Sequence, residues 1–444
     1  MKRYEAYKPS GTAWFTSVPE PWNILKINAL FSQRKEKVSD KDFAPISVTK
    51  NGIMPQLETV AKTDDGDNRK KVCVGDFVIN SRSDRKGSCG ISSFDGSVSL
   101  INIVLQPRQE LNGRYAHYLL RSQPFSEEFY RNGRGIVADL WTTRYSEMKN
   151  ILLPVPPRDE QDQIVRYLDW QVSKINRLIA AKRKEIALVE ELKAIQSTDA
   201  VLHGIKPYSN NTETEAFGNI PAHWNVVHNK RLFHERVQYT ATGKETLLSV
   251  SKHYGVKPSS ELTEGEQFAT IKPALSLVGY KIVHKDDFVM NIMRARNGSY
   301  GISAYDGIVS PAYCVYCVTR KCNPIYLHYL QRTPQMKSLF EAYSTGIAEH
   351  RRRLYPESFL RLKSILPPII EQDEIADHIE QTIAKHDIVI NRLQQQVARL
   401  QDMKIRLISD VVTGQIDVRS IKVPDYELVD DVVQDSEDGE PEVE

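Results

Sequence analysis

Two short loops carry side chains able to read a base edge. SRSDRK (81–86) supplies Arg82, Arg85 and Lys86, and IMRARN (292–297) supplies Arg294, Arg296 and Asn297. Each follows a β-like run ending in asparagine, FVIN on Asn80 and FVMN on Asn291. The planar forks of Arg and Asn can pair bidentately with guanine and adenine edges in the major groove. A second basic cluster, HRRRLYP (350–356), sets Arg351, Arg352 and Arg353 in a row. It faces GIVADLWTTRYSE (135–147), which holds Trp141 and Arg144, with Arg134 just ahead of it. Consecutive arginines suit phosphates better than bases, because charge alone gives affinity without sequence information. A solvated strand-connecting loop is also often basic for no further reason.

The setting separates these readings. GSCGISSFDGSVS (87–99) and GSYGISAYDGIVS (298–310) are identical at nine of thirteen positions, at an offset of 211. The offset holds from GDFVIN and DDFVMN through Tyr115, His117 and Arg121 against Tyr326, His328 and Arg332. It continues to Pro156-Pro157 with Glu160-Gln161 against Pro367-Pro368 with Glu371-Gln372. Nearer the start it falls to 202, where Pro19, Trp22, Asn23, Leu30 and Phe31 meet Pro221, Trp224, Asn225, Leu232 and Phe233. The chain is therefore a tandem duplication of a unit of roughly 200 residues, too long a period for a solenoid. Glycines and strand residues match while the loop side chains differ. One frame with two sets of reading heads is what recognition of two different targets needs.

Each unit must supply that frame and something to space it. Short β-like runs, turn signals and a helical stretch such as RYAHYLLRSQPFSEEF predict an α+β globular domain, with Asp95-Gly96 and Asp306-Gly307 as two-residue hairpin turns. The Pro-Pro pair ends the last strand, and a long helix starts near Glu160 or Glu371. In the second copy Ile379, Ile383, His386, Ile390, Leu393, Val397, Leu400, Lys404, Leu407 and Val411 alternate spacings of four and three. The first copy keeps the same phase from Leu168 through Val172, Ile175 and Ile179 to Ala200. A sustained period of 3.5 predicts that the two helices pair as an antiparallel coiled coil, against the alternative of a single amphipathic helix on each domain. The expected division is 1–157 for a first globular domain, 158–205 for a first helix, 206–368 for a second domain, 369–418 for a second helix, and 419–444 for a tail.

The composition narrows the function. A chain of 444 residues with 41% hydrophobic and 26% charged residues is that of a globular protein with more than one core. It has no apolar run long enough to span a membrane and no signal-like start, so a cytoplasmic location is expected. Five cysteines argue against a disulfide framework. The last 21 residues hold ten acidic and no basic side chains, leaving residues 1–423 with 59 basic against 47 acidic, a net of +12. The body is basic, and the tail reads as a disordered acidic segment that serves solubility or competes for the basic surface.

Catalytic motifs do not emerge. Gly243-Lys244 has Gln238 where a P-loop needs its first glycine, and Gly133-Arg134-Gly135 lacks the third glycine of a dinucleotide fold. Cys314 and Cys317 have CxxC spacing without a second pair, and Asn323-Pro-Ile-Tyr326 reads as a connecting turn.

DFVMNIMRARNGSYGISAYDGIVSPAYCVY, GIAEHRRRLYPESF and LPPIIEQDEIADHIE together resemble a target-recognition domain and its helix in the specificity subunit (HsdS) of type I restriction-modification enzymes. DRKGSCGISSFDGSVS and PVPPRDEQDQIVRYLD carry the same likeness in the first half, and the resemblance spans about residues 15–418. GIVADLWTTRYSE departs from the HRRRLYP form, and the acidic tail is not a family feature. The resemblance implies two target-recognition domains, each reading half of a bipartite asymmetric site in double-stranded DNA, with the helices holding a fixed spacer. It implies two modification (methyltransferase) subunits docked on the helices and two restriction/translocase subunits. S-adenosylmethionine, ATP and Mg would lie in those partners, which direct adenine-N6 methylation and restriction. No cofactor, catalytic residue or metal is expected in this chain, and no membrane partner. The rival reading is a coiled-coil scaffold joining two protein-binding modules without touching DNA.

Overall fold

A computed structural model describes residues 2–56, 66–82, 85–135, 141–252, 254–262, 276–319, 321–346 and 352–429. The chain divides into two compact units, one of residues 1–184 and 393–435, the other of 185–392 and 436–444. Each takes one part of each long helix, Arg158–His203 and Ile369–Val412.

In the first unit an antiparallel four-stranded sheet has the order Cys89–Ile91, Phe77–Asn80, Asn102–Pro107, Phe31–Gln33. In the second, Tyr300–Ile302, Phe288–Asn291, Tyr313–Val318 and Phe233–Glu235 follow the same order. The buried face of the first sheet contributes Phe31, Phe77 and Ile79 to a core with Trp22, Tyr115 and Phe125. Its counterpart in the second unit is built on Phe233, Phe288, Tyr300, Tyr316 and Phe359. A buried aspartate ties two strands in each unit: Asp76 accepts from Arg34 at 2.7 and 3.1 Å, and Asp287 from Arg236 at 2.8 and 3.0 Å. Such bidentate pairs fix geometry as well as charge.

The Asp-Gly pairs are not hairpin turns. Gly96–Val98 pairs with Arg69–Val72, and Gly307–Val309 with Lys281–Val283, so the chain leaves one sheet for another at this point. Glycine is required there for space: a Cβ on Gly96 would lie 2.6 Å from the Ala44 carbonyl oxygen, and one on Gly307 2.4 Å from that of Thr246. The aspartate closes the crossing, Asp95 accepting from the Val74 amide at 2.8 Å. A twofold spacing and a turn dipeptide cannot tell a hairpin from such a crossing.

The Glu-Gln-Asp run at the start of each long helix fastens the helix to its globular part. Gln161 accepts from the Asn112 amide at 2.8 Å and donates to the Pro156 carbonyl at 3.0 Å; Gln372 does the same with Asn323 and Pro367 at 2.9 and 2.8 Å. Glu160 accepts from the Trp22 indole at 3.0 Å and from the Tyr4 hydroxyl. Glu371 accepts from Trp224, Tyr208 and His223 at 2.9, 3.0 and 2.7 Å. Burial pushes the Glu371 carboxyl up, but those three hydrogen bonds outweigh it and hold its pKa below the ordinary value. Asn323 is thus the N-cap of helix Pro324–Gln331, its side chain accepting from the amides of Ile325 and Tyr326.

Leu168, Val172, Ile175 and Ile179 of the first helix are buried with Leu407 and Val411 of the second in one unit, where Lys404 donates to the Asn176 side chain at 3.3 Å. In the other, Lys193 meets Asp387 at 2.8 Å. The paired residue numbers add to the same total in both units, as an antiparallel pair in a single register requires. The tail departs from expectation. Residues 419–429 lie along the first helix: Gln163 donates to the Val418 and Ile421 carbonyls at 2.9 and 2.8 Å, and Ile421 and Val423 pack on the core. Val429 accepts from Asn176 at 2.9 Å and donates to the Ser173 hydroxyl at 3.0 Å. Val418, Ile421 and Val423 give the segment apolar anchors that a count of its charges overlooks. Residues 430–444 lie outside the described residues.

Candidate nucleic-acid interface

The two basic clusters of each unit are neighbours. Thr143 donates its amide to the Ser81 carbonyl at 2.9 Å, and Leu354 donates its amide to the Ile292 carbonyl at 3.0 Å; both residues of each pair correspond at the offset of 211. Arg134 pairs with Thr142 as an isolated bridge and Thr345 with Arg353. The arginine has changed sides between copies while the bridge stays. The described parts of the basic loop and of the arginine-bearing segment thus come together in each unit.

On that surface the residues have unlike roles. Asn80 and Asn291 shape turns: their side-chain oxygens accept the amides of Arg82 and Met293 at 3.0 and 3.1 Å, and Asn291 is buried. An asparagine two residues before a turn amide closes an Asx-turn on itself, and here that contact engages the side-chain oxygen of each. Arg82, Arg85, Arg134, Arg144, Asn297 and Arg353 are exposed. Lys86 pairs with Glu127 at 2.8 Å and lies over the Tyr130 ring at 4.9 Å. Arg352 donates to the Ser344 carbonyl at 3.2 Å. Arg294 and Arg296 flank Ala295, whose buried methyl pins the one-turn helix Ala295–Asn297 before Gly298 turns back in the left-handed region, φ 90°. The Nε of Arg296 is buried with no acceptor among the described residues. Arg351 lies outside the described residues.

A histidine ties helix Pro324–Gln331 to the sheet of the second unit. His328 Nδ1 accepts the Ile302 amide at 3.1 Å, and burial, aided by Arg332, lowers its pKa to about 4, so the ring is neutral. Tyr130 and Trp141 were not singled out as readers by the sequence, yet they stand against the first loop, ring centroids 5.9 Å apart. Cys314 and Cys317 sit at odd spacing in strand Tyr313–Val318 and face opposite sides.

A curated relative, the putative type I restriction enzyme MjaX specificity subunit of Methanocaldococcus jannaschii, is 21% identical over 443 residues, spanning 91% of this chain and 95% of its own. A chain of a solved type I R-M system superposes with a TM-score of 0.61 at 13% identity, covering 90% of this chain and 99% of that one. The chain is a homologue of type I specificity subunits. An HsdS subunit from Thermoanaerobacter tengcongensis aligns over 90% of this chain with a TM-score of 0.45 and 15% identity. No protein-family model matches. The duplicated sheet and the long helix that follows each copy are thus a fold shared with that chain of a type I R-M system. Among the described residues no helix is long and apolar enough to cross a membrane.

Proposed function

We propose that this chain is the non-catalytic DNA-recognition subunit of a type I restriction-modification complex. The observation that carries the reading is the pair of equivalent surfaces with unlike side chains: Arg82, Lys86 and Arg134 on one, Arg294, Arg296 and Arg353 on the other, on the same cross-tied backbone. Each unit reads one half of a bipartite site in double-stranded DNA, and the long helices set the spacer. A buried guanidinium nitrogen lacking an acceptor, as at Arg296, is the kind of donor a base edge or phosphate completes.

The helices also dock two modification subunits, a role supported by Leu188, Leu192 and Ile195, which expose 54, 45 and 57% of their surface at spacings of four and three. Two restriction/translocase subunits complete the assembly, in the cytoplasm. S-adenosylmethionine, ATP and Mg belong to these partners, so adenine methylation and strand cleavage occur in them.

The test is duplex binding by the full chain over a salt series. Contacts to several phosphates make log K fall steeply with log salt, and a bipartite site found by methylome sequencing binds tighter than random duplex. A salt-insensitive chain indifferent to sequence would support the scaffold instead.

A further inference from the structure

The first unit contains a recess whose lining residues are replaced at key places in the second. It is a small notch, with about 20 Å3 of free space at the scale of a water molecule, lined by buried Cys89, Leu120 and Phe129, by Tyr130 and Trp141, and by exposed Arg82. Trp141 is fixed there by three contacts. Its indole donates to the Tyr130 carbonyl at 2.9 Å, its ring leans on Tyr130, and its edge lies over Gly133, where a Cβ would come within 2.3 Å of the indole nitrogen. At the corresponding places the second copy has Tyr300 for Cys89, Arg352 for Trp141 and Glu341 for Tyr130. Tyr300 is fully buried and donates to the Gln331 carbonyl at 2.9 Å, so a tyrosine ring stands where the first copy has the thiol.

An apolar notch beside an arginine on a duplex-reading surface has one small apolar target within a major groove, the methyl group of thymine. We propose that this recess accepts the C5 methyl of a thymine in the first half-site, which makes Trp141, Tyr130 and Cys89 specificity-determining residues that the second unit lacks. The Cys89 thiol suits the floor, because burial pushes its pKa up to about 12 and keeps it uncharged. The inference rests on the DNA-recognition reading.

Deoxyuridine removes only that methyl. The full chain is titrated with its own site, each thymine of the first half-site replaced in turn by deoxyuridine. One replacement should weaken binding about three- to tenfold, in line with burial of a single methyl against aromatic rings. In Trp141→Arg, and separately in Cys89→Tyr, which copies the residue of the second unit, the two duplexes should bind alike, while penalties in the second half-site stay as they were. A first half-site without thymine, a site indifferent to every replacement, or a penalty that persists in both variants overturns the proposal. A wild-type chain that prefers no duplex at all would instead overturn the recognition reading beneath it.

Discussion

Tyr115 shares its hydroxyl hydrogen between the carbonyls of Pro154, at 3.0 Å, and Val412, 297 residues further along the chain, at 3.3 Å. Tyr326 repeats the relationship with Ile365 and Val201, both at 3.4 Å. Each globular part therefore holds the start of its own long helix through Glu160 or Glu371 and the far end of the other one through a tyrosine. Burial raises both phenol pKa values well above the ordinary value, so the hydroxyls remain donors.

Tyr115→Phe removes that donor from two buried carbonyls with almost no change of shape. The expected cost is about 1 to 2 kcal/mol in the denaturant unfolding of the full chain, and the same for Tyr326→Phe. A loss too small to measure in both would mean that the far helix end is held by apolar packing alone.

The duplication, the sheets and the two helices were legible because they rest on periodicity and identity, which need no knowledge of contacts. The long helix expected near Glu160 begins at Arg158, directly after the Pro-Pro pair. The Asp-Gly crossing was misread because Gly96 answers to Ala44, 52 residues away, and not to its neighbours. The turns that Asn80 and Asn291 close were not legible, because side-chain type says nothing of an amide two residues on. Trp141 gains its place from Gly133 and from the tie between Thr143 and Ser81, contacts that spacing does not announce.

The buried His328 makes the second unit sensitive to mild acid. Its folded pKa lies near 4, below the ordinary 6.5, so the unfolded chain takes up the proton first. The contribution is complete above pH 6.5 and is lost as pH falls toward 4, up to about 3 kcal/mol. His328→Gln should flatten the unfolding midpoint between pH 6.5 and 4; equal slopes in variant and parent would show that another group titrates.

The end of the chain has two parts with opposite expectations. Ending it after Val429 removes eight acidic residues and no described contact, so thermal stability should hold while affinity for random duplex at low salt rises. Ending it after Gln415 also removes Val418, fully buried, along with Ile421 and Val423, and should cost about 2 kcal/mol or more. Equal melting temperatures for the two truncations would contradict the docking of residues 419–429.

Arg296→Ala tests the reading loop of the second unit. Loss of a bidentate base contact should weaken the specific site by about 1 to 3 kcal/mol and relax choice within one half-site only. A loss spread evenly over all sequences, with a shallower salt slope, would make Arg296 a phosphate contact.

The helices offer the sharpest test of spacing. Lys404 against Asn176 and Lys193 against Asp387 share one antiparallel register, which sets Lys184 opposite Gln396. Seven residues inserted after Lys184 and seven after Gln395 therefore enter at the same level and keep the heptad phase in both helices. Each helix lengthens by about 10 Å, and at about 3.4 Å per base pair the spacer should grow by up to roughly three base pairs with both half-sites unchanged. Methylome sequencing of a host carrying the variant reads the outcome directly. An insertion in one helix alone breaks the register beyond the insertion point and should abolish specific methylation. A double-insertion variant that is active on the original spacer would show that the helices do not measure the distance between the half-sites.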